Sequence, residues 1–599
     1  MHRHAVALLR LPHVVRALVL ALSLGLSPAV AAAGGDPPPE RDVDNLEDLL
    51  PRRETLRERE AWRGLESLMP RRGTLADPPP AAPVRNVAEW EPATGVLIRY
   101  PLGLPYALLR DLDDAVTLHV VVSSSSQAAA QANLTANGVD MGRVQFLVRP
   151  NDSIWTRDYG PWFVFDGAGE LAIVDHVYNR PYRPNDDLIP IHFAQQQGLP
   201  VHSHDMYHTG GNYMTDGDHV GSSTRLVYDE AAAANGMDAA EVDQLMADYY
   251  GLQQYTVVDD IESGGIHHID TWAKFLDEET VLVKQVWPAH HTYAALEQRA
   301  TLLASLTAST GRTYRVHRVF CQDIGGGSPA SYTNSLVLNR RICVPLFGNA
   351  AGDTAALQAY RAAAPGHDVR GFAYAGFLTD DALHCRVLGV FDRDMLRVEH
   401  APPIGEVVGP VDLQVLVTAH SGAALTAVDL VYRPAGGAWT SVPMSDQGGG
   451  THLGRIPAPE ADTDVEYYVQ AADASGRLAS SPRTAPVGRH ALRLLAPATA
   501  AETSPAAPVR VAAPWPNPAN PTVGFRFELR EAAPVRLSVV DARGRLVRRL
   551  LDGGPHPAGP TDLVWDGRDD AGRPAASGVY AFVLEAAGLR HRRPVTLVR

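Results

Sequence analysis

Four short stretches of the sequence place thiol, imidazole, carboxylate and amide side chains beside glycine or proline. They are WTRDYGPW (155–162), GGIHHIDTWAKF (264–275), GGGSPASYTNS (325–335) and DDALHCR (380–386). Side chains that do chemistry usually lie on loops that a rigid scaffold positions. We therefore treat these four stretches as the candidate site.

An imidazole and two carboxylates stand out in the first two stretches. If GGIHHID is extended, His268 and Asp270 point to one face and His267 to the other. The imidazole can then move protons near neutral pH while the carboxylate holds a charge. Asp158 is flanked by aromatic residues, and Trp155 offers a face on which a planar guanidinium could stack. The alternatives are a surface strand with incidental polar residues and a structural Arg–Asp pair.

The chain has three cysteines, Cys321, Cys343 and Cys385. Exported proteins usually pair their cysteines, so an odd count leaves one over. Cys321 and Cys343 form one disulfide or are two buried thiols, and their spacing does not decide between these. Cys385 needs a cationic substrate or an imidazolium to become a thiolate near neutral pH, and the alternative is an inert buried thiol. His384 would point away from it on a strand.

The first residues have the layout of a secretory signal peptide. Basic residues come first, then the apolar run ALVLALSLGL, then small residues at 31–33. That order is typical of a cleaved signal, and the apolar run is too short for a comfortable membrane anchor. We expect residues 1–33 to be removed and the protein to be secreted or held at the cell surface. The net charge of −15 argues against nucleic-acid binding.

A chain of 599 residues is long enough for several domains. Residues 34–86 are rich in Pro, Arg and Glu, which predicts a pro-segment or disordered lead-in. Over 87–398, short β-branched runs alternate with helix-like stretches, which predicts an α/β domain. Residues 402–492 alternate with period two and predict a β-sandwich, followed by an Ala/Pro/Thr linker over 493–510 and a second small β domain over 511–599.

The α/β region resembles the agmatine deiminase and bacterial (Porphyromonas-type) peptidylarginine deiminase family. The resemblance rests on EWEPATGVLIRYP (89–101), WTRDYGPW, GGNYMTDG (210–217), HID (268–270), GGGSPASYTN and ALHC, in family order over about 310 residues. It implies an α/β propeller with fivefold pseudo-symmetry.

The resemblance also implies a role for each matching residue. Cys385 would be the nucleophile and His268 the general acid and base, while Asp158 and Asp270 would grip the guanidinium. Asn334 matches the asparagine of the SYTN element. The implied reaction converts a guanidine to a urea through a covalent thiouronium on the cysteine, with no metal or organic cofactor.

The stretch VYNRPYRPNDD (177–187) bears on the choice of substrate. The peptidylarginine branch has an Arg-Pro-Arg element there that meets the carboxylate of a C-terminal arginine. Arg180 matches the first arginine, Tyr182 replaces the second, and Arg183 follows it. We expect Arg180, Arg183, Trp155 and Asn212 to bind substrate, with Gly210 and Gly211 in a tight turn.

The predicted partners are arginine-containing peptides, whose arginine would become citrulline, or agmatine, which would give N-carbamoylputrescine. The last domain resembles the flagellar hook-capping Ig-like repeat and the sorting domains of type IX secretion cargo, through PNPANPT and SGVYAF. That implies contact with export machinery or the cell surface. The remaining alternatives are a cysteine peptidase, a metal site built from His267, His268, Asp270 and Cys385, and an inactive secreted binding protein.

Overall fold

The computed structural model describes residues 76–261, 266–497 and 508–598. The predicted signal peptide, most of the predicted lead-in, Gly264 and Gly265, and most of the predicted linker lie outside these ranges. The described chain begins with an α/β domain and continues into two β domains. Within the described ranges, no helix combines the length and the apolar content that a membrane crossing requires.

The α/β domain contains eight α-helices, most of which connect parallel strands. Two parallel strands need such a crossover because the chain leaves the first strand at one end of the sheet and must enter the second strand at the other end. The helices are α1 Tyr106–Leu112, α2 Gln127–Ala136, α3 Thr156–Tyr159, α4 Ile189–Gln197, α5 Leu226–Asn235, α6 Ala239–Tyr250, α7 Tyr293–Ser305 and α8 Ala350–Ala363. Helix α6 shows how the sequence sets these bounds. Asp238 and Glu241 form a capping box at its start, and Gly251 ends it with a φ of 72°.

Seventeen short strands of the described chain belong to this domain. They are β1 Arg85–Asn86, β2 Ala93–Arg99, β3 Thr117–Val122, β4 Val144–Val148, β5 Trp162–Phe165, β6 Leu171–Tyr178, β7 Val201–His208, β8 Met214–Thr215, β9 Val220–Thr224, β10 Gln254–Val258, β11 Ala273–Phe275, β12 Thr280–Gln285, β13 Arg315–Phe320, β14 Leu336–Leu338, β15 Arg341–Leu346, β16 Asp368–Ala373 and β17 Leu388–Phe391. Strands such as β3, with the sequence TLHVVV, are buried almost throughout. Burial on both faces explains why these runs read as continuously apolar rather than alternating.

The strands form five small sheets, ordered β17-β2-β3-β4, β1-β5-β6-β7, β10-β9-β8, β11-β12-β13 and β14-β15-β16. Each sheet contains an antiparallel pair that shares a strand with a parallel pair, as in β11-β12 and β12-β13. In the first sheet, β17 comes from the end of the domain and β2 from its beginning. The end of the domain therefore pairs with its start, and the residues just before β17 are held in place.

The structure shifts the predicted boundaries at the lead-in, at residue 398 and at both ends of the predicted linker, where one strand runs over His490–Leu495 and another over Val509–Val511. The end of the predicted lead-in packs on the α/β domain, since β1 pairs with β5 and the amide of Asp77 donates to the carbonyl of Ser203. The predicted end of the α/β region at 398 also shifts, because β18 (Leu396–Glu399) pairs with a strand of the next domain. Its alternating burial matches that sandwich rather than the buried strands before it.

The first β domain is a two-sheet sandwich. Its strands are β18 Leu396–Glu399, β19 Glu406–Val408, β20 Val411–Ala419, β21 Leu425–Pro434, β22 Thr440–Pro443, β23 Ser445–Gly448, β24 Thr451–Ile456, β25 Thr463–Asp473, β26 Leu478–Ser481 and β27 His490–Leu495. The sheets are β18-β20-β24-β23 and β19-β27-β25-β21-β22, with β26 on β25. Inward residues such as Leu413, Leu430 and Tyr467 fill the space between the two sheets.

The second β domain also has two sheets, β28-β29-β32 and β31-β30-β33-β34. Its strands are β28 Val509–Val511, β29 Val523–Leu529, β30 Ala533–Asp541, β31 Leu546–His556, β32 Gly559–Trp565, β33 Gly578–Ala586 and β34 Leu589–Leu597. Phe525, Phe582 and Trp565 lie in its core.

Candidate active site

Cys385 lies on a 3₁₀ turn, His384–Arg386, immediately before β17. The sequence reading had considered a strand here, on which the His384 side chain would point away. Asn334 fixes the turn, because its side-chain oxygen accepts from the amides of Ala382 (3.1 Å), His384 (2.9 Å) and Cys385 (3.3 Å). The asparagine of the predicted SYTN element therefore holds the backbone that carries the thiol.

A buried ion pair holds the other side of the same turn. The guanidinium of Arg386 donates to both carboxylate oxygens of Asp381, at 3.0 and 2.8 Å, and to the carbonyl of Gly103 at 2.8 Å. Arg386 is fully buried, so these contacts are needed to satisfy its charge. This planar, bidentate geometry restricts how the turn can move.

The Cys385 thiol is buried among polar groups as well as apolar ones. Its Sγ lies 3.2 Å from the Nδ2 of Asn334 and 3.8 Å from the Oδ2 of Asp270, and it packs against Ile154 and Trp155. Burial, and then the negative charges of nearby aspartates, raise the pKa of this thiol well above its ordinary value. Without a bound cation the sulfur is therefore a neutral thiol.

The described residues of the GGIHHID stretch do not form the extended strand on which His268 and Asp270 would share one face. His267 has a φ of 60°, and Ile269–Thr271 form a 3₁₀ turn that follows it. The His267 side chain turns away to Asp260, with 2.8 Å between its Nδ1 and the carboxylate. The two histidines therefore point in different directions because of the backbone turn, and not because they lie on opposite faces of a strand.

Asn212 was expected to contact substrate, and the structure places it beneath this turn. Its side-chain oxygen accepts from the amide of Ile269 at 3.2 Å and from the amide and hydroxyl of Thr224 at 3.0 and 2.9 Å. The side chain is fully buried and serves the backbone next to His268. In this position Asn212 orients the turn rather than forming a pocket wall.

Asp158, His268 and Asp270 converge on Gly211. A Cβ atom at this glycine would lie 2.5 Å from the Oδ1 of Asp158, 2.6 Å from the Nδ1 of His268 and 3.4 Å from the Oδ2 of Asp270. Gly210 and Gly211 lie in a short 3₁₀ turn, and neither has a positive φ. The glycine at 211 is thus required by close approach and not by turn geometry.

Several polar atoms at this convergence have no hydrogen-bond partner among the described residues. They are the Oδ1 of Asp158, the Oδ1 of Asp270, and both ring nitrogens of His268. All three residues are at most 7 % exposed. Two of these atoms, the Nδ1 of His268 and the Oδ1 of Asp158, face each other at 3.5 Å without forming a hydrogen bond. Since an unpaired buried polar group costs roughly 1–3 kcal/mol, the group as a whole points to a missing ligand.

The electrostatics of the site favour a cation. Burial raises the pKa of Asp158 to about 8, with a further contribution from the charge of Asp270 and an opposing one from Arg180. Burial lowers the pKa of His268 to about 3, so its imidazole is neutral at physiological pH. A bound cation would reverse the shift at Asp158 and would also lower the pKa of the Cys385 thiol.

Two residues predicted to bind substrate instead contact each other. The guanidinium of Arg183 lies over the Trp155 ring, 4.7 Å from its centroid, and Arg183 is 1 % exposed. Trp155 therefore already stacks on a guanidinium belonging to the protein. This placement corrects the expectation that Arg183 is a second contact for a substrate carboxylate.

Arg180 lies nearer to the candidate site. It lowers the pKa of both Asp158 and His268, which places its positive charge close to them. Its Nη1 is 3.9 Å from the carboxylate of Glu230, and its side chain is 15 % exposed. Arg180 thus keeps the position expected for a group that meets the far end of a substrate.

Behind Asp270 lie two buried residues, His384 and Lys274, and the partly buried Glu89, none of which was among the predicted site residues. His384 is 2.7 Å from Asp270 through Nδ1 and 2.7 Å from Glu89 through Nε2, and Lys274 is 3.0 Å from the Glu89 carboxylate. Glu89 and Lys274 are far apart in sequence, so no local pattern could have joined them. Glu89 lies in EWEPATGVLIRYP and Lys274 in GGIHHIDTWAKF, two stretches that the sequence analysis quotes without assigning a role to either residue.

The other two cysteines are free and buried. Cys321 and Cys343 are therefore two separate thiols, which resolves the choice that their spacing left open. Among the described residues there is no group of three or more His, Cys, Asp or Glu side chains arranged to hold a metal ion.

Residues 85–387, about half of the chain, match the family model of the Porphyromonas-type peptidyl-arginine deiminase. The chain belongs to this family. Residues 519–589 match the FlgD Ig-like domain. Both predicted resemblances are confirmed, and so is the predicted enzyme class, a hydrolase of guanidino C–N bonds. The mixed α/β domain followed by C-terminal β domains is also as predicted.

Several curated relatives carry the name agmatine deiminase. One from Streptomyces coelicolor is 28 % identical over 254 residues, covering 39 % of this chain and 74 % of the relative. One from Legionella pneumophila is 23 % identical over 259 residues, covering 40 % and 73 %. A solved structure of the agmatine deiminase of Enterococcus faecalis is 19 % identical, with a TM-score of 0.45, and covers 52 % of this chain and 96 % of the other.

Proposed function

We propose that the protein hydrolyses the guanidinium of peptidyl-arginine to citrulline and ammonia, with Cys385 as the nucleophile. The observation that carries this proposal is the group of unpartnered buried atoms on Asp158, Asp270 and His268 beside the thiol. A planar guanidinium presents N–H donors in fixed directions and carries the charge that two carboxylates require. Bound there, it would lie next to the sulfur of Cys385.

The first half of the reaction forms the covalent intermediate. The substrate cation favours loss of the thiol proton, which passes to the neutral His268, and the sulfur attacks the central guanidinium carbon. The C–N bond to one terminal nitrogen then breaks. That nitrogen takes the proton back from His268 and leaves as ammonia, so the enzyme retains a thiouronium cation on Cys385.

The second half consumes water. His268 takes a proton from the water as its oxygen attacks the thiouronium carbon. The C–S bond then breaks, the sulfur leaves as thiolate, and the carbon keeps its oxygen as a ureido carbonyl. The thiolate recovers its proton from the product hydroxyl. His268 releases its proton to solvent, where the ammonia that left in the first half takes it up as ammonium. Overall, a guanidinium and water become a urea and ammonium.

Arg180 supports a peptide substrate that ends in arginine. Its guanidinium could meet the terminal carboxylate, which agmatine lacks. Agmatine is the second candidate, and a separate observation favours it. Arg183, the expected second arm of a carboxylate clamp, is buried on Trp155, so a single cation remains for that role.

We also propose the features of the sequence that remain predictions. The five sheets would surround a pseudo-fivefold axis as propeller blades. Residues 1–33 would direct export, 34–86 would form a pro-segment, and the FlgD-like domain would mediate sorting or attachment at the cell surface. N-terminal sequencing of the exported protein would locate the signal cleavage site directly.

The test of the activity uses the purified protein and four substrates: agmatine, free arginine, a peptide ending in arginine, and the same peptide with arginine internal. Ammonia and ureido product are measured, with Cys385→Ala as the control. Turnover of the peptides alone supports a peptidylarginine deiminase, and preference for the terminal arginine supports the role of Arg180. Turnover of agmatine alone supports the second candidate.

The same assay separates the deiminase from the other classes. A cysteine peptidase would cleave the peptide without releasing ammonia. A metal-dependent enzyme would lose activity with a chelator. No ammonia from any of the four substrates would contradict the proposal and favour an inactive binding protein.

A further inference from the structure

A buried chain of charged side chains leads away from Asp270. The Oδ2 of Asp270 is 2.7 Å from the Nδ1 of His384, whose Nε2 is 2.7 Å from the Oε2 of Glu89. The Nζ of Lys274 is 3.0 Å from both oxygens of Glu89. The Oε1 of Glu89 also accepts from the amide of Val337 at 2.7 Å. Glu89, His384 and Lys274 therefore have hydrogen-bond partners, whereas Asp270 has them at Oδ2 and lacks one at Oδ1 among the described residues.

The hydrogen bonds fix the charge of the imidazole. An ionised carboxylate only accepts, so a nitrogen 2.7 Å from it must donate. His384 contacts a carboxylate oxygen with each nitrogen, and it therefore carries both protons as a cation between Glu89 and Asp270. Glu89 in turn is held by the charge of Lys274 and by Arg157, whose Nη2 lies 3.6 Å from it.

This chain makes the two site carboxylates different. Burial alone would raise the pKa of both. The hydrogen bond and charge of His384 outweigh burial at Asp270 and lower its pKa. Asp158 instead faces the neutral imidazole of His268 at 3.5 Å, and its pKa is raised to about 8. Asp270 therefore ionises more readily than Asp158, which becomes ionised only at higher pH or when a cation arrives.

The chain also fixes the direction of the Asp270 carboxylate. Its Oδ2 accepts from His384 and, at 3.3 Å, from the Nδ2 of Asn334, while its Oδ1 has no partner. With one oxygen anchored, the other is the one free to accept from a ligand. His384 precedes the nucleophile in sequence, so the same turn presents the sulfur and orients the carboxylate.

We propose that Glu89 and His384 are positioning residues, which hold Asp270 ionised and aim its free oxygen at the substrate guanidinium. The inference rests on the proposed function, because it assigns Asp270 to guanidinium binding. A small cavity of about 40 Å³ is lined in part by Glu89, Asp270, Lys274 and His384.

The test measures substrate affinity without turnover. In a Cys385→Ala background, calorimetry gives the Kd of a peptide ending in arginine and of agmatine. Glu89→Gln keeps the shape of the side chain but removes the charge that holds His384 as a cation. We expect the Kd to rise roughly ten- to hundredfold. Metal sites lose affinity in this range when they lose a residue that orients a metal-binding side chain. Asp270→Asn sets the scale and is expected to lose at least as much.

Glu91→Gln is the matched control. Glu91 is also buried, lies two residues away and pairs with Arg85 at 2.8 Å, but it does not contact His384. The pH dependence supplies a second readout. The parent and Glu89→Gln proteins share the acid limb of Asp158 near pH 8. Without the imidazolium the pKa of Asp270 rises, so Glu89→Gln should show a second limb, that of Asp270, at a higher pH than the parent, and its binding should fall more steeply below the Asp158 limb. Lost packing alone would not move this limb. His384→Asn, which keeps one donor, replaces Glu89→Gln if the latter does not fold.

The outcomes separate the inference from the function on which it rests. If Glu89→Gln binds within twofold of Glu91→Gln while Asp270→Asn binds weakly, the positioning role is overturned and the guanidinium site stands. If Asp270→Asn binds as well as the parent, the proposed guanidinium site fails and the inference fails with it. Weak binding in both, with the shifted pH limb, supports both.

Discussion

The centre of the α/β domain and the centre of the C-terminal β domain are built in opposite ways. In the C-terminal domain, Phe525 stacks on Phe582 at 4.7 Å, and the indole N–H of Trp565 donates to a carbonyl at 2.8 Å. Its charged pairs, such as Arg526 with Asp562, lie at the surface. That core contains what stability favours, namely apolar contact and satisfied hydrogen bonds.

The centre of the α/β domain buries what stability disfavours. A thiol, an imidazole and two carboxylates from separate segments lie close together there. Several of their atoms have no hydrogen-bond partner among the described residues. Such groups persist where they are used, because they cost free energy that a ligand can recover. The comparison teaches that an unsatisfied buried polar cluster, more than the fold, marks the working part of this chain.

The largest expected difference is between two of the buried cysteines, Cys385 in the candidate site and Cys343 outside it. Cys385→Ala should reduce turnover at least about 10⁴-fold, since loss of a covalent nucleophile removes the whole pathway. Cys343→Ala, in a fully buried thiol on β15, should keep turnover within about threefold. Steady-state ammonia release measures both. Equal losses in the two variants would mean that the thiol at 385 has no special role.

Asp158→Asn should lower kcat/KM roughly 10²-fold or more and yet stabilise the protein. The folded pKa is about 8 and the ordinary value 3.8, so between these pH values the folded state binds more protons than the unfolded state. Stability therefore falls as pH rises through this window, and asparagine removes that loss. Thermal unfolding at pH 8 should show a higher Tm for the variant.

Asp562→Asn provides the contrast from the other domain. Asp562 pairs with Arg526 at the surface, where such pairs contribute little. We expect neither turnover nor Tm to change measurably.

The Asp158→Asn result could also contradict the account. An Asp158→Asn protein that is less stable at pH 8 would show that this carboxylate contributes to the fold like an ordinary buried residue.

The pH profile sharpens the electrostatic part of the account. Because kcat/KM reports the free enzyme, it should rise nearly tenfold per pH unit from pH 6 and level off near pH 8, where Asp158 ionises. Arg180 lowers the pKa of Asp158, so Arg180→Gln should move the limb to higher pH. Arg225→Gln, at an exposed pair with Asp229, should leave it in place. A flat profile between pH 6 and 8 contradicts this assignment.

The smallest expected effect concerns substrate choice at the edge of the site. Glu230 lies 3.9 Å from Arg180, the residue that we propose meets a substrate carboxylate, and burial raises the pKa of Glu230 to about 7. Glu230→Gln should increase the preference for a peptide ending in arginine over its C-terminal amide by roughly three- to tenfold at pH 8, about the worth of one charged contact. Competition assays with the two peptides measure the ratio. An unchanged ratio would remove Arg180 from carboxylate recognition.

Much of the site could be predicted because its residues lie in short, recognisable stretches. Cys385, His268, Asp158, Asp270 and Asn334 all lie where they can act on one ligand. The alternation of strand and helix likewise indicated the α/β class, since each period is local to the sequence.

The rest depended on contacts between distant segments. Glu89 reaches His384 across 295 positions, and no local pattern could connect them. Arg183 was expected near substrate because of its spacing from Arg180, but its guanidinium finds the Trp155 ring instead. After His268 the chain forms a turn, which Asn212 stabilises from a distant segment by accepting from the amide of Ile269. Tertiary contacts override local patterns at these points.

The most direct test of the central claim is to trap the intermediate. The protein is mixed with each of the four guanidine substrates, quenched in acid within one turnover, digested, and analysed by mass spectrometry. The account predicts that the peptide containing Cys385 gains the mass of the substrate less one ammonia, and that the adduct decays as ureido product appears. Ammonia release with no adduct on Cys385, or undiminished release from Cys385→Ala, would contradict it.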